Sequence, residues 1–171
     1  MSVESVVNMS RVFVSIGSNI EREHNIRSAM RDLQKRFGQL TVSRVFESKA
    51  VGFLGDDFLN LVVGFDTEAT VWKVIAELHD IEMEHSRARQ TPRFSSRTLD
   101  LDLLLYDDLV LEERGIKLPR DEITRYAYVL GPLAEIAGKM HHPVENRPFA
   151  DLWQEFDHTT QPIRPVEIDI C

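Results

Sequence analysis

Hydrophobic and polar positions follow two rhythms along this chain, a period near two and a period near three and a half, and the changes between them divide it into elements. RVFVSIGSN, from Arg11, reads as a first strand running into a glycine turn at Gly17 to Asn19. From Glu21 to Phe37 the apolar residues Ile26, Ala29, Met30, Leu33 and Phe37 recur at helical spacing, and Gly38 ends the run. LTVSRVFES is a second strand, KAVGFLGDD an aperiodic loop, and FLNLVVGFD a nearly continuous apolar run expected as a buried third strand. Thr70 then caps a second helix in which Val71, Val74, Ile75, Leu78 and Ile81 or Glu82 share a face, ending near Ser86. A loop, RARQTPRFSSR, leads into a last strand, RTLDLDLLLY. The order strand, helix, strand, strand, helix, strand predicts an α+β, ferredoxin-like fold: a βαββαβ core with an antiparallel sheet backed by helices. Beyond Leu111, ERGIKLP reads as a hairpin arm, YVLGPLAEIAG and PFADLWQEF as short helices, and the residues from Thr159 as a tail.

The last strand raises the chemical question. Strand side chains alternate, so Leu99, Leu101, Leu103 and Leu105 fall on one side, while Asp100, Asp102, Leu104 and Tyr106 fall on the other. The first side reads as core. On the second, two carboxylates whose Cα atoms are about 7 Å apart repel each other unless a cation lies between them. Ordinary surface acids on a solvent-facing edge would explain a bare pair of this kind. Just upstream, however, Arg87, Arg89, Arg93 and Arg97 fall within eleven residues that include no acid. Arginine forks suit phosphate oxygens, and Mg²⁺ commonly bridges a carboxylate to substrate phosphates, so the segment reads as a polyphosphate site; salt bridges to neighbouring acids are the alternative. Phe58 and Asn60, two apart on the third strand, set an aromatic plate beside an amide and suit a flat heteroaromatic ring, with core packing as the plainer account. There is no G-x-x-x-x-G-K-[ST] loop, so this is not a Walker-type phosphate site.

Bulk properties narrow the setting. A chain of 171 residues, 43% hydrophobic and 28% charged, is expected to form one domain spanning 1–171, with a leader at 1–10, a core at 11–157 and a tail at 158–171. The one cysteine, Cys171, leaves no intramolecular disulfide. A formal charge of −8 argues against a broad nucleic-acid surface. No apolar run reaches the roughly 18 residues of a membrane span and no targeting segment is visible, so a cytoplasmic protein that binds neither membrane nor nucleic acid is expected.

The stretch RFSSRTLDLDLLLY, the IGSN turn, the FLN strand start and the EMEHSRAR helix exit together resemble the 6-hydroxymethyl-7,8-dihydropterin pyrophosphokinases of folate biosynthesis, in order from Arg11 to Phe156. The resemblance implies a ferredoxin-like α-β-α sandwich and transfer of the β,γ-pyrophosphoryl group of ATP to the pterin hydroxymethyl oxygen, with release of AMP. It implies that Asp100 and Asp102 hold two Mg²⁺ ions, and that Arg87 and Arg97 share the catalytic work with them. Arg87, Arg89 and Arg97 would clamp the phosphates with Arg93 in the same loop, and His79, Glu82 and Leu103 would lie near the nucleotide. Phe58 and Tyr128 would sandwich the pterin, Asn60 would read its edge, and Ser48, Val51 and Gly52 would add contacts through their loop. Its partners would be ATP and the pterin alone, and a monomer is expected.

Several positions depart from the family pattern. Phe94-Ser95-Ser96 replaces the usual Trp-Gly-Pro, and Ser48-Lys49-Ala50 replaces a Thr-Pro-Pro-like segment. Arg120 stands where the family has a phosphate-contacting histidine, and Tyr126 where it has a second phosphate arginine, with Arg125 one residue early. A divergent paralogue with an altered substrate or no catalysis is the runner-up reading. A non-catalytic sensor or RNA-binding module comes third, since the former leaves the aspartates unexplained and the latter lacks a basic, aromatic surface.

Overall fold

The polar breaks in the apolar rhythm set the element boundaries. In chain order these are β1 (Ser10–Ser18), α1 (Arg22–Phe37), β2 (Thr41–Val42), β3 (Val45–Ser48), β4 (Phe58–Thr67), α2 (Val71–Arg89), β5 (Asp100–Tyr106), β6 (Leu111–Glu113), β7 (Ile116–Leu118), α3 (Glu122–Arg125), α4 (Ala127–Ala137), α5 (Phe149–Glu155) and β8 (Arg164–Val166). The structure, a computed structural model, describes residues 8–49, 57–89 and 99–170, with the main chain alone for 87–89. The expectations for Val51, Gly52, Arg93, Arg97 and Phe94 to Ser96 therefore lie outside the described residues.

The main sheet runs β5-β1-β4-β3-β8, with β2 also pairing β4, and every pair is antiparallel. This is the ferredoxin-like order that the alternation of strands and helices predicts. Helices α1 and α2 cover one face, where Ile26, Met30, Leu33, Val74, Leu78 and Ile81 meet Ile16, Leu61, Val63, Leu101 and Leu103. Arg36 ties these two helices at their surface, with Nη1 2.6 Å from Glu77 and Nη2 3.2 Å from Glu84. On the other face Ile123, Val129, Leu130, Leu133 and Phe149 of α3 to α5 meet Phe13, Val62, Leu104 and Leu105. Two apolar layers with the sheet between them give the α-β-α sandwich. The ERGIKLP hairpin forms as β6 and β7, turning through Arg114 (φ 54°) and Gly115 (φ 77°), the positive pair that a two-residue hairpin loop demands.

Four local expectations change. LTVSRVFES is two short strands rather than one, because Ser43 replaces a stretch of ladder with its side chain. Its N–H donates to Val62 O (3.0 Å), its Oγ accepts from Val62 N–H (2.9 Å), and the hydroxyl donates to Arg44 O (2.8 Å). Gly17 is not in a turn but inside β1, paired with Asn60 on one side and Asp100 on the other. In β5 the pairing slips: Phe13 faces Leu105 and Val14 faces Leu103, so Leu104 is an extra residue. A bulge of this kind reverses the alternation beyond it, and Leu105 joins the α4 face while Tyr106 returns to the α2 face. Finally, the expected tail contains β8, which pairs β3 from Val45↔Val166 to Glu47↔Arg164.

The Ser43 arrangement carries a measurable cost if broken. Ser43 is 6% exposed and Val62 fully buried. Ser43→Ala leaves the Val62 N–H without its acceptor and should lower stability by about 1–3 kcal/mol in urea denaturation. A loss indistinguishable from zero would mean that the strand closes over the break by ordinary pairing.

Candidate active site

The register of the central strands assembles the site before any loop is considered. Asn60 on β4, Gly17 on β1 and Asp100 on β5 form one row across the sheet, and Ser15 faces Asp102 two rows along, on the same face. Phe46 of β3 faces Asn60, and Ser48 faces Phe58. With alternating side chains, Ser48, Phe58, Asn60, Asp100 and Asp102 all belong to the sheet face that carries Val62 and Leu104. Phe58, Asp100 and Asp102 are each half-buried, at the end of the sheet away from the centre of that core.

The amide half of this row is rigid. Asn60 is 4% exposed and its Nδ2 donates to Ser48 Oγ at 2.6 Å. A Cβ at position 17 would lie 3.1 Å from Asn60 Oδ1 and 3.9 Å from the Phe58 ring. Glycine is therefore needed here for close approach, not for turning, a role that the sequence does not signal.

The acidic half is organised by the bulge. Leu104 O, released from the ladder, accepts the N–H of Arg120 at 3.1 Å. Arg120 then sets Nη2 3.4 Å from Asp102 Oδ1, and Nε 3.0 Å from Glu122 Oε2 as an ion pair without hydrogen-bond alignment. Glu82 reaches across from α2 and accepts the Leu101 N–H at 3.0 Å, fixing the peptide between the two aspartates on an edge strand. An open cavity of about 60 Å³ brings together His79, Glu82 and Leu103, expected near the nucleotide, Asp102, expected to hold metal, and Arg120, at the position of the family's phosphate-contacting histidine. A larger cavity, about 580 Å³ between the β3 edge and residues 165–170, holds none of them. Helix α2 runs to Arg89 rather than ending near Ser86, so Arg87 and Arg89, expected in the loop that follows, fall on its last turn. Arg125 is exposed at the end of α3 and does not line the cavity; its charge opposes the rise that Asp121 causes in the Lys117 pKa.

Among the described residues no three His, Cys, Asp or Glu side chains cluster tightly enough to hold a metal alone. Two neighbouring half-buried carboxylates do fit Mg²⁺ that arrives with phosphate, since that ion keeps waters and takes only one or two protein carboxylates.

Tyr128 stands half-buried on α4, within reach of the charges of Asp100 and Asp102. Its ring stacks on Tyr126, with centroids 5.1 Å apart and planes 18° off parallel. Burial, and then the negative groups Tyr126, Glu122, Asp102 and Asp100, push the Tyr128 phenol up to about 12. The phenol therefore feels both aspartates. Tyr126, where the family pattern has an arginine, backs the Tyr128 ring, and sequence reasoning had no signal for that stacking. Because the folded protein holds the Tyr128 proton more tightly than the unfolded chain, this contribution to stability is complete below the ordinary tyrosine value of 10.0 and is lost as pH rises to about 12. Tyr128→Phe should flatten the alkaline fall in melting temperature across that window; an unchanged slope would place the phenol in water.

Residues 13–138 match the family model described as 7,8-dihydro-6-hydroxymethylpterin-pyrophosphokinase. The 2-amino-4-hydroxy-6-hydroxymethyldihydropteridine pyrophosphokinase of Haemophilus influenzae is 30% identical over 163 residues, covering 92% of this chain and 100% of that one. The Aquifex aeolicus protein of the same name is 29% identical over 149 residues, covering 86% and 92%. The crystal structure of wild-type Plasmodium falciparum HPPK-DHPS superposes with a TM-score of 0.66 at 12% identity over 89% of this chain and 45% of that one, a similarity of fold alone. With a family model spanning most of its length and relatives matched nearly end to end, this chain belongs to the 7,8-dihydro-6-hydroxymethylpterin-pyrophosphokinase family.

Proposed function

We propose that this chain transfers the β,γ-pyrophosphoryl group of ATP to the hydroxymethyl oxygen of 6-hydroxymethyl-7,8-dihydropterin, giving the pterin diphosphate and AMP. The observation that carries the reading is the single row across three strands in which a buried amide, a glycine gap and an acid lie side by side. An aromatic and amide end suits the flat pterin, and an acidic end suits a metal-bound triphosphate.

In the reaction the hydroxymethyl oxygen forms a bond to the β-phosphorus, the bond from that phosphorus to the α,β-bridging oxygen breaks, and the hydroxyl proton leaves to solvent. Asp100 and Asp102 would hold Mg²⁺, which supplies neutralisation of charge on the phosphate oxygens. The chain's own work is positioning and electrostatics. Phe58 and Tyr128 hold the ring, while Asn60, braced by Ser48, and the loop residues Val51 and Gly52 read its polar edge. Arg87, Arg89, Arg93 and Arg97 clamp the triphosphate, with Arg87 and Arg97 on the transferred group. Arg120 brings a guanidinium beside Asp102, where the family pattern has a histidine; His79 and Leu103 border the nucleotide, and Glu82 holds the strand that presents the acids. Arg125 contributes to the phosphate end only through its charge.

The test is release of AMP from ATP and Mg²⁺ with and without the pterin. Pterin-dependent AMP with a diphosphorylated pterin product is expected; AMP formed equally in its absence would make this a nucleotide hydrolase. Asp102→Asn should lower kcat by about 10²–10³-fold with an unaltered urea midpoint, and retained turnover would remove the acid from the chemistry. Phe58→Ala should raise the KM for pterin about tenfold and leave that for ATP unchanged. Equal losses for both substrates would return Phe58 to a packing role.

A further inference from the structure

Gln161 and Arg164 lie beyond residue 138, where the family match ends, yet their side chains bond to residues that adjoin Tyr128 on one side and Ser48 on the other. Gln161 Oε1 accepts the Ala127 N–H at 3.0 Å, and its Nε2 donates to Arg125 O at 2.9 Å. Ala127 opens α4, and Tyr126, the residue before it, offers no side-chain cap. One amide from a distant segment thus satisfies both the first N–H of α4 and a carbonyl at the end of α3. It grips the three residues that lead directly to Tyr128.

Three residues later the same segment grips the opposite wall. Arg164 donates through Nε and Nη2 to Glu47 Oε1, with Nε at 3.2 Å. Glu47 Oε2 lies 2.7 Å from Arg22 Nη1, which also donates to Asp57 O at 2.9 Å. Glu47 immediately precedes Ser48, and Asp57 immediately precedes Phe58. The two arginines hold the Glu47 carboxyl below the usual carboxylate range, Arg164 contributing most. Between the two grips Ile163 lies against α4 at Gly131, where a Cβ would meet its Cδ1 at 2.9 Å and the Trp153 ring at the same distance.

We infer that Gln161 and Arg164 are positioning residues of the pterin subsite, a strap that sets the Tyr126–Tyr128 segment against the ends of β3 and β4. The inference rests on the proposed assignment of Phe58, Ser48 and Tyr128 to the pterin. It follows from placement: one short stretch of chain is hydrogen-bonded to both walls and passes over α4 between them. The metal and nucleotide end, built from β5, α2 and Arg120, receives no bond from either side chain among those described. Loosening the strap should therefore be felt by one substrate and not the other.

The experiment uses the full chain with Gln161→Ala and Arg164→Ala, measuring pterin affinity by titration, KM for each substrate, kcat and melting temperature. Each variant should weaken pterin binding about five- to tenfold while the KM for ATP stays within about twofold of wild type. Gln161→Glu, which keeps the acceptor for Ala127, and Arg164→Lys, which keeps the charge beside Glu47, should each recover part of the affinity and keep the test open if an alanine variant does not fold. Unchanged pterin affinity, an equal loss for ATP, or a lower melting temperature without a pterin effect would overturn the strap. If wild type binds pterin and the variants match it, the strap alone falls; if wild type neither binds pterin nor releases AMP, the reading of the site falls with it.

Discussion

The pairing of β1 with β4 on one edge and β5 on the other is the constraint on which the rest of the site depends. It aligns Asn60, Gly17 and Asp100 in one row, although the residues come from three separate stretches of chain. The row works because its middle position has no side chain. A Cβ there would press on the Asn60 carbonyl at 3.1 Å, and that amide is already committed to Ser48. A one-residue slip of β4 or β5 would move that strand's side chains, Asn60 or Asp100 among them, to the opposite face, into the layer filled by α1 and α2.

Charge is handled locally. Two carboxylates two residues apart repel, and the protein sets Arg120 beside Asp102 at 3.4 Å. At side-chain exposures of 34% and 44% such a pair contributes about 0–1 kcal/mol, so it does little for stability. Its importance lies in position: the guanidinium is anchored through its main-chain N–H to Leu104 O, and so its location depends on the bulge in β5. The same extra residue sends Leu104 and Leu105 together into the second core. One irregularity thus serves packing on one side and the acidic end of the site on the other.

The C-terminal segment extends this logic beyond the sheet. The motifs that carry the family resemblance lie in β1, in β4, at the end of α2 and in β5, and among the three strands the register determines the geometry. The aromatic wall on α4 and the loop ends at β3 and β4 need something outside that register to hold them, and the hydrogen bonds from Gln161 and Arg164 are placed to do it.

Much of this was legible in the residues themselves. The periodicities of Glu21 to Phe37, Thr70 to Ile81 and FLNLVVGFD gave the helices, the buried strand and their order, because local side-chain spacing is a direct consequence of helix and strand geometry. The Asp100–Asp102 pair was legible for the same reason, since its two residues share a face by strand geometry alone. What periodicity could not express were the interruptions and the partners: the break at Ser43, the bulge at Leu104, Gly17 within a strand, and β8 inside the apparent tail. Nor could it express Arg120 against Asp102, Tyr126 behind Tyr128, or Gln161 bridging Arg125 and Ala127. A sequence by itself determines which face each side chain takes within its own element; which distant groups then meet depends on strand register and on hydrogen bonds that close only when the tertiary structure forms.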